Sequence, residues 1–98
     1  MDIKVQAVHF EASEKLQNFI EKKVSKLGKF CDEIRKVEVS LKVVKPETAM
    51  NKEVSIRVST SSELYAEKIC DTFEEAIDNC MDALVKQLQK TKEKRQER

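Results

Sequence analysis

Three stretches of this chain alternate apolar and polar residues with a period of two, and that alternation restricts its fold more than any other feature. Across residues 34–45, Val37, Val39, Leu41 and Val43 fall on one side and Glu38, Ser40 and Lys42 on the other. Across residues 53–60, Val54, Ile56 and Val58 oppose Ser55, Arg57 and Ser59. Residues 2–8 set Ile3, Val5 and Ala7 against Lys4 and Gln6. Successive side chains of a strand point to opposite faces, so each stretch predicts a strand with one apolar face. A sheet of such strands buries one face only, and everything that covers it must lie on that side. Residues 63–70 read as a fourth, weaker strand, in which either Leu64 and Ala66 or Tyr65 and Ile69 face the core.

Two helical patterns supply the cover. Ser13 is a good N-cap, and Leu16, Phe19, Ile20, Val24 and Leu27 follow at helical spacing, with Phe30 closing the stripe. This predicts a helix over residues 14–29, in which Gly28 is either a C-terminal signal or a tolerated weak point. The second pattern runs from Thr72 to the C-terminus, 27 residues without Gly or Pro. Phe73, Ala76, Ile77, Cys80, Leu84 and Leu88 make its apolar stripe, and Asp71/Glu74 and Thr72/Glu75 are overlapping capping boxes. Its charges are sorted along the axis. Glu74, Glu75, Asp78 and Asp82 come first, and Lys86, Lys90, Lys92, Lys94, Arg95 and Arg98 come last, as the helix dipole favours.

The order is β-α-β-β-β-α. The first helix is then a right-handed crossover between parallel strands, and the last three strands form an antiparallel meander. The expected fold is α+β: a four-stranded mixed sheet with both helices on one face, like a double-stranded-RNA-binding domain. Turn residues 46–51 and 59–62 connect the strands, and no linker divides the chain. Residues 1–98 read as a single domain, with 92–98 as a frayed basic helix end.

Composition narrows the functional classes. Charged residues make up 38% of the chain and apolar ones 40%, so it has a densely charged surface yet enough apolar residues for a core. The net charge is only +1. Three cysteines, Cys31, Cys70 and Cys80, form no C-x-x-C pair and read as small hydrophobes in or near the core. With no signal peptide and no long apolar run, the expectation is a soluble cytoplasmic protein without membrane contact. A single histidine, His9, is expected to face solvent at a strand end. No nucleophile–base pair, Gly-rich phosphate loop or metal-ligand spacing is found, so neither an enzyme nor a cofactor is expected.

The lysines are patterned. Lys15, Lys22, Lys26 and Lys29 share one face of the first helix, with Lys23 beside them, and Lys86, Lys90 and Lys94 share one face of the last. Two such rows on neighbouring helices can form a surface for phosphates; lysine rows also serve simply to solubilise helix backs.

A resemblance bears on that choice. The segments FIEKKVSKL (19–27), FEEAID (73–78) and LVKQLQK (84–90), in this order and at these lengths, resemble the bacterial ribosome hibernation-promoting factors. That family is also called the ribosome-associated inhibitors or sigma-factor modulation proteins. The resemblance spans nearly the whole chain and is to the short form, without a second domain that pairs ribosomes. It departs from the family at Ala83, where a lysine is common.

The resemblance implies binding to the small ribosomal subunit in the mRNA and tRNA decoding channel, and inhibition of translation under stress or in stationary phase. It implies that Lys23, Lys26, Lys29, Lys86, Lys90 and Lys94 contact rRNA, and Lys22 joins them from the lysine row. Blocking would be steric, with lysine–phosphate pairs as positioning contacts, and the polar sheet face (Glu38, Ser40, Lys42, Ser55, Arg57) would be a secondary surface. Two other readings stand beside it. One is a protein-interaction module docking through Glu74, Glu75, Asp78 and Asp82. The other is a module that binds free duplex RNA.

Overall fold

In the computed structural model, residues 2–8, 10–44 and 50–96 are described, with side chains described as far as Lys90. The elements are β1 (Asp2–Val8), α1 (Glu14–Ser25), β2 (Lys36–Val43), β3 (Lys52–Ser59), β4 (Glu63–Cys70) and α2 (Phe73–Gln96). The strands lie in the order β1-β2-β3-β4. β1 pairs with β2 in parallel, and the remaining pairs are antiparallel. The expected fold is the observed one.

The apolar positions of the strands fall into register across the sheet. Ile3, Val37, Val58 and Leu64 form one transverse row, and Val5, Val39, Ile56 and Ala66 the next. The inner positions Val37, Val39, Leu41, Val54, Ile56 and Val58 are buried. β4 resolves its ambiguity in favour of Leu64 and Ala66, which are buried, whereas Tyr65 and Ile69 lie on the open face. The tie is broken by pairing: Leu64 stands opposite Val58 and Ala66 opposite Ile56, both core residues, and opposed side chains share a face.

Both helices cover that inner face. α1 contributes Ile20 and Val24, and α2 contributes Ala76, Ile77, Cys80, Met81, Leu84 and Leu88. Met81 was not among the residues of the expected stripe, although it lies four after Ile77. Ser13 caps α1 by accepting from the Leu16 N–H (3.1 Å), and Thr72 caps α2 by accepting from the Glu75 N–H (3.1 Å). Cys70 and Cys80 are buried free thiols, and Cys31 is half-buried. Burial pushes the Cys80 thiol up to about 11, so it stays protonated at neutral pH.

Helix α1 ends earlier than expected. Its α-helical winding stops at Ser25, and Lys26–Lys29 continue as a 3-10 turn, closed by Phe30 N–H to Leu27 C=O (3.0 Å). Gly28 does not adopt positive φ, so it is not a left-handed cap. A 3-10 turn advances at three residues per turn rather than 3.6, so side chains beyond Val24 leave the expected stripe. Leu27 remains buried, but Phe30 is 42% exposed and does not close the core. His9 and most of the 46–51 turn lie outside the described residues.

Candidate functional site

The chain path decides how the two helices meet. α2 turns back on β4 after a two-residue connection. Asn79, early in α2, donates its side-chain amide to Cys70 Sγ at the end of β4 (3.3 Å). Gln87, late in α2, donates to the Tyr65 carbonyl near the start of β4 (3.0 Å). α2 is therefore antiparallel to β4. α1, the crossover between parallel strands, is antiparallel to β1 and β2, so α1 and α2 run side by side in the same direction. Phe10 and Phe73 stack at the entry to both helices, with centroids 5.3 Å apart and an angle of 11°.

Downstream of that stack the helices are joined by an ion pair, Lys23 Nζ to Asp78 Oδ1 at 3.2 Å. Lys23 also sits over the Phe19 ring, 5.5 Å from its centroid. The pair lines an open groove of about 430 Å³ between the two helices. Lys26 and Phe30 line it from α1 and its 3-10 turn; Met81, Asp82 and Val85 line it from α2.

The lysines named from the sequence are thus distributed unevenly. Lys22, Lys26 and Lys29 are exposed, as are Lys86 and Lys90. Lys23 is half-buried and already neutralised by Asp78. On α2, Asp78, Asp82, Lys86 and Lys90 fall four residues apart along one line. Its acidic half faces Lys23 and Lys26 across the groove, and Lys86 and Lys90 lie farther along. The side chain of Lys94 and those of the rest of the tail lie outside the described residues. The sequence reading missed the groove itself. The pairing of Lys23 depends on how far one helix slides past the other, which no local pattern encodes, and the exposed position of Phe30 follows from the 3-10 turn before it.

The open face of the sheet carries a second polar array. Lys4, Glu38, Arg57 and Tyr65 form a transverse row, one residue per strand. Glu38 accepts from Lys36 (3.1 Å). That hydrogen bond and charge, with smaller contributions from Arg57 and Lys4, hold its carboxyl below the ordinary value. Arg57 lies 5.8 Å from the Tyr65 ring centroid. Glu53 hydrogen-bonds to Glu67, and this with burial and mutual repulsion raises the Glu53 carboxyl. Among the described residues no group of His, Cys, Asp or Glu is arranged to hold a metal ion, and no helix is long and apolar enough to cross a membrane.

The model of the family "Sigma 54 modulation protein / S30EA ribosomal protein" matches residues 3–96. Among solved structures, a ribosomal subunit interface protein from Coxiella burnetii is similar with a TM-score of 0.84 at 26% identity, covering 94% of this chain and 98% of that one. The Protein Y N-terminal domain of Thermus thermophilus matches in fold, with a TM-score of 0.78 at 22% identity over 93% of this chain and 99% of that one. No curated protein matches the chain. With a family model that runs from β1 to the end of α2, the chain belongs to the sigma 54 modulation protein / S30EA ribosomal protein family.

Proposed function

We propose that this protein binds the small ribosomal subunit in the decoding channel and inhibits translation by occupying space that mRNA and tRNA need. The observation that carries the reading is the family match over residues 3–96. It is supported by the similarity, over almost the full length of both chains, to a protein described as a ribosomal subunit interface protein. Exposed Lys22, Lys26, Lys29, Lys86 and Lys90 would neutralise rRNA phosphates, with Lys94 extending the row. Phosphate contacts fix position and orientation, and a folded wedge needs nothing more to exclude other ligands. Part-exposed Lys23 would join these lysines while tying α1 to α2 through Asp78.

Co-sedimentation with separated ribosomal subunits tests this directly. The wild-type protein is expected with the small subunit. Replacing Lys22, Lys26, Lys86 and Lys90 together by Gln leaves helix propensity nearly unchanged and spares the Lys23–Asp78 pair. Each lost phosphate contact removes about one counterion-release term, so the slope of log affinity against log salt should shrink by up to ~3–4, by analogy with duplex DNA. Inhibition of translation in an extract should fall in parallel. A folded quadruple variant that binds with an unchanged salt slope would refute the reading.

A further inference from the structure

We propose that the groove between α1 and α2 receives one unstacked guanine nucleotide of RNA. The inference rests on the RNA-binding reading above and names the part of the RNA that is read rather than only neutralised. It begins from a mismatch. A surface that did no more than neutralise phosphates would keep carboxylates away from its lysines, yet Asp78 and Asp82 line the same groove as Lys23 and Lys26. Asp78 is accounted for by its ion pair with Lys23. Asp82 is exposed and lies in the groove with Lys26 and with Phe30, a residue 42% exposed. Met81 and Val85 supply apolar wall.

A nucleotide has a counterpart for each of these groups. Its flat base stacks on Phe30, its phosphate meets Lys26, and donors on its Watson–Crick edge meet the carboxylate of Asp82. Unstacked bases of RNA are recognised by this combination of aromatic stacking and edge hydrogen bonds. Guanine alone among the four bases places two adjacent donors, N1–H and the 2-amino group, where one carboxylate accepts both. Uracil offers a single N–H between two carbonyl oxygens, which the carboxylate repels. The volume of about 430 Å³ falls within the ordinary range of small-ligand sites, roughly 300–1,000 Å³.

The sign of one substitution separates this from simple electrostatics. Removing a carboxylate beside lysines strengthens binding to every RNA if only phosphate is bound. If Asp82 accepts from guanine, Asp82→Asn weakens binding to guanine-containing RNA. The probes are two fluorescein-labelled single-stranded pentamers, UUGUU and UUUUU, titrated with the full chain at fixed salt and followed by anisotropy. The wild type should prefer UUGUU, Asp82→Asn should lose about tenfold or more on it while tightening on UUUUU, and Phe30→Ala should weaken both. Asp82 and Phe30 are exposed, and thermal unfolding of each variant checks its fold. Binding of neither pentamer, no preference in the wild type, or equal tightening on both by Asp82→Asn overturns the proposal. Lysine-dependent co-sedimentation with the small subunit, together with any of those outcomes, would sink the groove alone. Absence of co-sedimentation would sink the ribosomal reading itself.

Discussion

Single residues divide here into those whose role depends on burial and those whose role depends on a charged neighbour. Leu84 is fully buried, so Leu84→Ala should destabilise by ~2–5 kcal/mol through lost transfer energy and the cavity left behind. A urea titration that finds the loss within error would place Leu84 outside the core. Glu53 and Glu67 show the other dependence. The Glu53 carboxyl is raised above its ordinary value of 4.5 by its hydrogen bond to Glu67. A group with a raised folded-state value contributes stability that is fully present in acid and is lost as pH rises through that value. At neutral pH that contribution is lost, and what Glu67 brings to Glu53 is the charge repulsion that helps to raise its carboxyl. Glu67→Gln should therefore raise stability at pH 7 by roughly 0.2–1 kcal/mol, and the gain should shrink or reverse near pH 4. Thermal melts at the two pH values decide it, and an equal gain at both contradicts the influence of Glu67 on Glu53. The Lys23–Asp78 pair is part-exposed and is worth at most about 1 kcal/mol. Its importance lies in where it sets the groove.

At the scale of elements, what was legible depended on how many residues agreed. The strands β2 and β3 show strict alternation and were read to within two residues at each end. β4 remained ambiguous because Leu64, Tyr65, Ala66 and Ile69 contradict one another in parity, and only pairing with β3 chose between them. The start of α2 was written in its Thr72 cap, whereas Asp71, the other capping candidate, accepts from the Met50 N–H instead; the end of α1 was not legible, because a 3-10 turn leaves no compositional mark. α2 holds 24 residues, about 36 Å at 1.5 Å per residue, whereas the eight residues of β4 span about 26 Å. The helix therefore overshoots its strand, and Leu88 is its last buried residue among those described. Ending the chain after Lys90 should leave stability within about 0.5 kcal/mol of wild type, and binding to ribosomes should weaken only by the share of Lys94, about one unit of salt slope. A marked loss of binding with stability intact would move the contact surface out onto the tail.

For the molecule as a whole, one core joins all six elements, so unfolding should be a single event. Far-ultraviolet circular dichroism and the fluorescence of Tyr65 should give coincident urea transitions, with a slope of about 1 kcal/mol per molar. Separate midpoints would mean that α1 or β1 unfolds independently. The fold was readable from the chain because each piece of it is a local matter. Strand alternation, helical periodicity and caps are set by residues within four positions of one another, and one-sided strands leave both helices only one place to go. The groove was not readable. Its position depends on how far α1 slides past α2, and that offset is set by the fit of Ile20, Val24 and Leu27 into a core shared with Ile77, Met81 and Leu84. Packing of that kind is decided by volumes contributed from distant parts of the chain, so Lys23 met Asp78 and Phe30 came to line the groove only in three dimensions.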